Sequence, residues 1–422
     1  MVLQSNNFPV SIPQGSLKWH LLTASASLLV ARITMLACGF AVFIYLSHAL
    51  EPEAYGTYGL AVVISQWLSL VMGAIAGGAT VPLVAGHKLG DRFAITILQM
   101  TLVIGVLLAS LLELGAPWLA QTLHAPNLAL PLQTIALDIP LAGLATVHSQ
   151  VLTARGQFQQ TAALLAGYWV SRISLAWLLV QAGAGIVGAT AALPLASLVQ
   201  AIAGRCLSRV SIWSRRAMPV RQLLTYIRLR TASSLLNGVL SNVDMLAVQW
   251  WSGSAHTTGL YAAAKNIALI PTMIFNSGQS VILSMLARSN GQGNSDLRDR
   301  LGHQYLRTCV YLGGLIIALG TLSFNSMGSI LGSSYSEAGP IAVVLIVGVG
   351  LQLLNTSTLV LISARGERGT MVSVLAIVTP LALALYYWLP GRLPDLSAAV
   401  SHALISTSMS ALITIPALRR MT

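Results

Sequence analysis

Long apolar runs separated by short polar connections follow one another along the whole chain. Each run has about the 20 residues that an α-helix needs to cross the hydrocarbon core of a bilayer. We therefore predict an all-α polytopic membrane protein with about 12 transmembrane helices, whose connections are too short for a sizeable soluble domain. The predicted spans are 21–47, 58–84, 94–112, 128–150, 159–181, 184–204, 231–251, 258–287, 305–325, 339–362, 371–390 and 396–416.

Composition agrees with a lipid environment. Of the 422 residues, 55% are hydrophobic and 8% are charged, and the mean hydropathy is +0.76. Soluble domains have about 25% charged residues, so a cytosolic enzyme, a nucleic-acid-binding protein and a disordered protein are poor interpretations. The expected surroundings are the lipid bilayer, and no nucleic-acid partner is expected.

Basic residues in the connections predict which side of the membrane each connection faces. The net charge is +12, and if odd-numbered spans run outward, 18 Lys and Arg residues lie in cytoplasmic segments against Arg392 outside. Cytoplasmic loops are enriched in Lys and Arg, so we predict that both termini are cytoplasmic. The polar segment 1–15 lacks the pattern of a cleaved signal peptide.

The longest connection is basic and divides the predicted spans into two sets of six. The halves share Val151-Leu-Thr-Ala-Arg-Gly156 with Leu361-Ile-Ser-Ala-Arg-Gly366, and Gly56-Thr-Tyr58 with Gly259-Leu-Tyr261. We predict two parallel-related six-helix lobes around a central cavity, as in transporters that work by alternating access. The predicted segments are a cytoplasmic N-terminal segment 1–20, an N-lobe 21–204, a basic cytoplasmic linker 205–230, a C-lobe 231–416 and a cytoplasmic tail 417–422.

Five ionisable residues fall well inside predicted spans: Arg32, Asp138, Arg172, Asp244 and Lys265. A charge in hydrocarbon costs at least about 2.5–3.5 kcal/mol, so each of them requires a partner or a watery cavity. Asp244 and Lys265 lie at matching depths on neighbouring spans, and so do Asp138 and Arg172. Both pairs are candidate interhelical salt bridges, and a functional role for Asp138 and Arg172 stays equally open.

Polar residues form stripes on the seventh and eighth predicted spans. The stripes favour a water-filled cavity over a packed polar helix pair. Their members are Ser234, Asn237, Ser241 and Asp244 on one span, and Tyr261, Lys265, Thr272, Asn276 and Gln279 on the next.

A cationic interior predicts an anionic ligand. Arg32 lies mid-depth in the first span with no acid at its depth on the second, and a forked guanidinium suits a phosphate. We expect a phosphorylated or otherwise anionic ligand to be bound in the cavity, and the candidate binding residues are Arg32, Lys265, Arg172, Asn237, Ser241, Tyr261 and Asn276. We expect Asp244 and Asp138 to act in ion coupling or ion pairing. There is no P-loop for ATP, no catalytic constellation and no metal-ligand spacing, so no cofactor is predicted and the chain is not expected to be an enzyme.

The segment Leu46-Ser-His-Ala-Leu-Glu-Pro-Glu-Ala-Tyr-Gly-Thr-Tyr-Gly-Leu-Ala61 resembles the first external turn of bacterial polysaccharide flippases. These typically have Gly/Pro-Glu-x-Tyr-Gly-x-Tyr there. Asn242-Val-Asp-Met-Leu-Ala-Val248, followed by Gly259-Leu-Tyr-Ala-Ala-Ala-Lys265, is similar to their seventh and eighth spans. The chain departs from the family at Ser47-His48, where small or basic residues are common.

The resemblance implies the fold of the multidrug/oligosaccharidyl-lipid/polysaccharide (MOP) exporter superfamily, similar to the multidrug (MATE) transporters, with spans one, two, seven and eight lining the cavity. It implies flipping of an undecaprenyl-diphosphate-linked oligosaccharide across a bacterial inner membrane for O-antigen or exopolysaccharide synthesis. It also implies that the candidate binding residues of the cavity hold the diphosphate and the sugars. Polymerase and chain-length proteins of that pathway are implied as further partners. Proton or sodium coupling stays open.

Three alternative functions compete with this interpretation. An ion-coupled multidrug exporter of the same superfamily favours an aromatic or acidic cavity, which the excess of Arg and Lys opposes. A membrane-embedded glycosyltransferase or polymerase needs a larger external loop than this chain provides. A non-transporting scaffold does not account for the intramembrane charges.

Overall fold

The structure of the protein is a computed structural model. It describes residues 14–86, 90–213, 242–271, 295–322 and 333–364, together with 236, 238, 379–384, 386 and 387. Within these ranges all regular secondary structure is helical, which confirms the predicted fold class.

Seven helices build the described part of the N-lobe. A 3₁₀ turn at Pro126–Leu128 precedes the fourth helix, and a π-helical segment at Val180–Ala184 follows the sixth. The helices are α1 (Gln14–Ala49), α2 (Pro52–Gly86), α3 (Gly90–Thr122), α4 (Ala129–Ala136), α5 (Asp138–Ala154), α6 (Phe158–Leu179) and α7 (Gly185–Ser208).

The described part of the C-lobe has four further labelled helices. They are α8 (242–252), α9 (255–271), α10 (Ser295–Leu322) and α11 (Ala338–Ala364). Residues 379–384, 386 and 387 are also helical, within the predicted eleventh span. The twelfth predicted span, 396–416, lies outside the described residues, so the count of twelve stays a prediction.

Five helical segments of the described chain are long and apolar enough to cross a membrane. The last of them, Phe158–Ser208, has 51 residues, far more than one crossing requires. Gly183 and Gly185 have φ values of +88° and +50° and turn the chain back, so that α6 and α7 pack side by side. This turn separates the predicted fifth and sixth spans.

Helix ends differ from the predicted span limits for identifiable reasons. Hydropathy reports the part of a helix within hydrocarbon, whereas α3 continues to Thr122 and α10 begins at Ser295, beyond the predicted limits 112 and 305. The predicted fourth span is interrupted at residue 137, between α4 and α5. Pro140 has no backbone N–H to donate to the carbonyl of residue 136, which explains the break.

The N-lobe core forms around α5. This helix packs against α2, α3 and α7, and α1 packs mainly on α6. Leu98, Leu132 and Ile139 are fully buried between the helices, whereas Leu111 and Leu114 on α3 are 66% and 83% exposed. Large apolar side chains on the outside fit a molecule whose surroundings are lipid.

The repeated Ala-Arg-Gly sequence at the end of α5 closes the helix. Gly156 adopts φ +75°, and its N–H donates to the Thr153 carbonyl oxygen at 3.0 Å. Arg155 donates to Asp91 at 2.7 Å and to the Ser208 carbonyl oxygen at 2.5 Å. This half of the repeat therefore ties the starts of α3 and the linker to α5. Its counterpart at 361–366 runs beyond the described residues.

Candidate functional site

A tight hairpin positions the intramembrane charges of the C-lobe. Helices α8 and α9 are joined at Gly253, which has φ +58° and donates its N–H to the Gln249 carbonyl oxygen at 2.9 Å. Ser254 donates its N–H to the Ser252 hydroxyl oxygen at 3.2 Å. The two helices are thus antiparallel neighbours, as the matching depths of Asp244 and Lys265 required.

Asp244 is the centre of the C-lobe charge cluster, which we define as Asp244, Tyr261 and Lys265. Its carboxylate is fully buried, and Lys265 Nζ lies 2.8 Å from Oδ1. The Tyr261 hydroxyl donates to Oδ2, also at 2.8 Å. The predicted Asp244–Lys265 ion pair is confirmed. It is a charge-neutral pair in which both carboxylate oxygens accept hydrogen bonds.

The N-lobe charge cluster consists of Tyr58, Trp169 and Arg172. Arg172 donates from an η nitrogen to the Tyr58 hydroxyl at 3.1 Å, and its guanidinium carbon lies 5.0 Å from the centroid of the Trp169 ring. Its Nε is buried without a hydrogen-bond partner among the described residues. Aromatic and hydroxyl groups thus surround this cation, in the manner of a cation–π site.

The predicted Asp138–Arg172 salt bridge is wrong. Asp138 accepts a hydrogen bond from the Ser197 hydroxyl at 2.5 Å. Of the carboxylates in the described chain, none lies within 4 Å of the Arg172 guanidinium. Matching depth does not determine which helix faces a side chain, and α5 presents Asp138 to α7.

Arg32 also differs from the sequence prediction. It is half-buried on α1, and in the structure it has an interaction partner, so the view of Arg32 as an unpaired buried cation is wrong. An Arg side chain is long, so its guanidinium contacts groups several ångströms from its own Cα. Comparing its depth with that of acids on one neighbouring span overlooks such contacts. Its proposed ligand role is not tested by this contact.

Three predicted binding residues, Asn237, Ser241 and Asn276, lie outside the described residues. The other predicted residues divide into separate groups: Tyr261 and Lys265 join Asp244, Arg172 joins the N-lobe charge cluster, and Asp138 is bonded to Ser197. Whether these groups act on one ligand stays a prediction.

Sequence reasoning left four contributors out of the site: Tyr58, Trp169, Ser197 and Gln249. Gln249 accepts from the Thr258 hydroxyl at 2.7 Å and donates to the Leu123 carbonyl oxygen of the N-lobe at 2.9 Å. One signal was present for Tyr58. It occupies the same place in Gly56-Thr-Tyr58 as Tyr261 does in Gly259-Leu-Tyr261, and Tyr261 was already a predicted site residue.

The chemistry available at the clusters is that of binding. The side chains present are two cations, two tyrosine hydroxyls, aromatic rings and one buried carboxylate, and the cations suit anionic ligands. Across the described ranges, no set of three or more His, Cys, Asp and Glu side chains is arranged to hold a metal ion. Cys38, Cys206 and Cys309 are all free thiols.

The sequence matches a model of the polysaccharide biosynthesis protein family over residues 46–339, which includes both charge clusters. The succinoglycan biosynthesis transport protein ExoT of Rhizobium meliloti (strain 1021) is 26% identical over 318 residues. This alignment covers 72% of the chain and 61% of that protein, so the chain spans less than two thirds of its relative's length.

Solved structures with similar folds are membrane transporters. An inward-facing multidrug resistance MATE family transporter of the MOP superfamily has a TM-score of 0.78 and 14% identity, with 94% of this chain and 98% of that chain covered. The lipid II flippase MurJ in an inward closed conformation has a TM-score of 0.74 and 17% identity, covering 94% and 87%. The predicted resemblance is confirmed: the chain belongs to the polysaccharide biosynthesis protein family and has the multi-pass helical fold of the MOP superfamily.

Proposed function

We propose that the protein flips an undecaprenyl-diphosphate-linked oligosaccharide repeat unit from the cytoplasmic to the periplasmic leaflet of a bacterial inner membrane by alternating access. The observation that carries the proposal is the family match across both charge clusters, since its members are described as polysaccharide biosynthesis proteins. The similarity to a succinoglycan transport protein supports an exported polysaccharide, and the fold shared with a lipid II flippase supports a lipid-linked form of it.

The charges inside the bundle support an anionic headgroup. Arg172 has no described carboxylate within ion-pairing distance, so the N-lobe charge cluster carries a net positive charge. Lipid-linked diphosphates are anionic, and guanidinium groups bind phosphates through their forked donors. We propose that Arg172, Arg32 and Lys265 face the diphosphate during the cycle, with Asn237, Ser241, Tyr261 and Asn276 contacting sugars.

Flipping is tested directly with purified protein in liposomes. A fluorescent undecaprenyl-diphosphate-linked oligosaccharide, placed in both leaflets, becomes fully accessible to an added membrane-impermeant quencher only when it is flipped. We expect rapid full quenching with the protein and partial quenching in empty vesicles. Partial quenching with folded protein, across several lipid-linked oligosaccharides, would reject the proposal.

The role of Arg32 is tested in the same vesicles. Arg32→Gln is expected to slow flipping by roughly tenfold or more, because a diphosphate contact is worth about 1–3 kcal/mol. Arg307→Gln is the matched control, since Arg307 is exposed on α10. Equal rates for Arg32→Gln and the native protein would remove Arg32 from the binding site.

The fold of a multidrug transporter makes drug export the rival function. A cationic N-lobe charge cluster repels cationic drugs, so we expect no uptake of ethidium or tetraphenylphosphonium driven by a proton or sodium gradient. Gradient-dependent uptake without lipid flipping would favour the rival.

A further inference from the structure

The two lobes meet where the repeated glycines lie. Gly56 is the fifth residue of α2, and Gly259 is the fifth of α9. A Cβ on Gly56 would collide with the Ala255 carbonyl oxygen, and one on Gly259 would collide with the Pro52 carbonyl oxygen. Each glycine therefore packs against the backbone four residues before its counterpart, a reciprocal contact of the kind that a two-fold axis produces.

This glycine crossing lies at the outer end of the bundle, meaning the end at which α1 stops and α2 starts. The charge pattern of the connections predicts that this end faces the periplasm. Gly59 continues the crossing inward, where a Cβ would lie 3.4 Å from the Cβ of Ala262. Leu70 packs tightly against Gly238 still deeper. Helix α2 is therefore in direct contact with the C-lobe from the glycine crossing inward.

Polar bonds between the lobes surround the glycine crossing. Asn266 donates to the Tyr55 hydroxyl at 2.8 Å, and the Tyr335 hydroxyl donates to the Leu50 carbonyl oxygen at 3.3 Å. The rings of Tyr55 and Tyr335 meet edge to face, with centroids 6.1 Å apart. These hydrogen bonds join uncharged groups of the two lobes. The lobes are able to separate here, because each polar group can exchange its partner for water on the outer side.

The tyrosine two residues after each glycine is bonded to an intramembrane charge of its own lobe. Tyr58 accepts from Arg172, and Tyr261 donates to Asp244. Movement of α2 or α9 at the glycine crossing therefore displaces a hydroxyl that stabilises an intramembrane charge. Conversely, a ligand that binds to either charge changes the stability of the glycine crossing.

We infer that Gly56-x-Tyr58 and Gly259-x-Tyr261 form the outer gate of the transporter, with the glycines closing it and the tyrosines coupling it to the charge cluster of each lobe. The inference rests on the proposed function, because a gate has meaning only in a transporter. Its test is therefore a measurement of gate position that contains no substrate.

The gate is measured by reaction of one cysteine with a membrane-impermeant maleimide. Cys38, Cys206 and Cys309 are first replaced by serine, and Ala262→Cys is introduced, because Ala262 is buried beneath the glycine crossing. Gly56→Leu is expected to raise the labelling rate from outside by roughly tenfold, which corresponds to a roughly tenfold shift of the equilibrium from the closed to the open gate. Gly73→Leu is the matched control on α2, since a Cβ at Gly73 meets nothing within 4 Å.

Equal labelling of the Gly56→Leu and Gly73→Leu proteins would overturn the gate. Labelling of the Gly56→Leu protein from the cytoplasmic side alone would also overturn it, because the crossing would then lie at the inner end. Tyr58→Phe and Tyr261→Phe are each expected to raise outside labelling severalfold. Tyr45→Phe is their control, because the Tyr45 hydroxyl bonds the Trp177 carbonyl oxygen inside the N-lobe. Unchanged labelling in both test variants would overturn the tyrosine coupling.

A disulfide provides a second test that does not depend on a bulky substitution. Gly59→Cys with Ala262→Cys should cross-link on oxidation of the resting protein, because a Cβ at residue 59 would lie 3.4 Å from the Cβ of Ala262, close to the spacing in a disulfide. The positive control is Ser357→Cys with native Cys309, whose Oγ and Sγ atoms are 3.0 Å apart within the C-lobe. If the control pair cross-links and the gate pair stays reduced, the inference of a closed crossing is overturned. If both pairs form while liposome flipping fails, the gate stands and the proposed substrate is wrong.

Discussion

The two lobes use the same repeat position for opposite charges. In the C-lobe charge cluster, Tyr261 donates to a fully buried carboxylate that Lys265 already neutralises. In the N-lobe charge cluster, Tyr58 accepts a hydrogen bond from Arg172. The Arg172 guanidinium lies over the Trp169 ring instead of pairing with any carboxylate that the structure describes. A hydroxyl both donates and accepts, so a repeated tyrosine allows the lobes to diverge in charge without a change of backbone.

We expect this difference to give the two clusters different tasks. A buried ion pair with both oxygens hydrogen-bonded is costly to disrupt from either side, so we expect the C-lobe charge cluster to act as a fixed element of the fold. A cation held by an aromatic face and by tyrosine hydroxyls rather than by a carboxylate can still attract an anion. We therefore expect substrate charge to act on the N-lobe charge cluster first.

The largest expected effect is loss of folding on breaking the C-lobe pair. Asp244→Asn leaves the Lys265 ammonium buried without its counter-charge, a change that costs about 3–5 kcal/mol. We expect little monodisperse protein in detergent and a much lower melting temperature. The double variant Asp244→Asn, Lys265→Met should recover most of the loss, because no charge is then left uncompensated. Equal stability of the single and double variants would show that the pair is not coupled.

That pair was predictable from the sequence because α8 and α9 are consecutive helices joined by a short turn. In a hairpin, the chain itself determines which residues share a depth and which helices touch. The partners of Asp138 and Arg172 lie 59 and 114 residues away, on helices that are not their neighbours in sequence. Periodicity and hydropathy give the depth of a side chain, but the direction it faces depends on packing of the whole lobe.

The general fold was predictable for a similar reason, and its details were not. Lipid imposes long apolar helices on any sequence that crosses it, so the helical class and the N-lobe spans followed from composition and run length. The interruption at residue 137 and the turn at Gly183 depend on local backbone chemistry inside continuous apolar sequence. The repeat identified the two glycines of the crossing as equivalent positions in the sequence. It did not indicate that they lie in close contact between the lobes.

The second prediction concerns the N-lobe cation. Arg172→Gln leaves no carboxylate without its counter-charge, because none of the described carboxylates lies within ion-pairing distance of Arg172. It removes a cation–π contact and a hydrogen bond, which together are worth about 1–2 kcal/mol. We expect flipping in liposomes to fall tenfold or more while the melting temperature falls less than in Asp244→Asn. Arg172→Lys should recover part of the rate, since it keeps the charge and loses the planar fork. A collapse in stability equal to that of Asp244→Asn would give both clusters the same structural role.

The third prediction isolates the tyrosine of the C-lobe charge cluster. Tyr261→Phe keeps the ring and removes one donor to a fully buried carboxylate, a loss of about 1.5–3 kcal/mol because the acceptor is charged. The melting temperature should fall clearly, though less than in Asp244→Asn, which leaves a buried charge uncompensated. In a double-mutant cycle, the effects of Tyr261→Phe and Asp244→Asn should be strongly non-additive. Additive effects would mean that the 2.8 Å bond contributes little to stability.

The smallest effect is expected for Tyr58→Phe, the counterpart of Tyr261→Phe in the repeat. Its bond to Arg172 is longer, at 3.1 Å, and only partly buried, so water can replace the lost hydroxyl. We expect a loss of about 0.5–1.5 kcal/mol, the range of an ordinary hydrogen bond. Measured by thermal unfolding beside Tyr261→Phe, the N-lobe variant should be the more stable of the two. The reverse order would mean that the Arg172 charge depends on Tyr58 as heavily as Asp244 depends on Tyr261, and the N-lobe charge cluster would then be a closed structural element rather than one that awaits an anion.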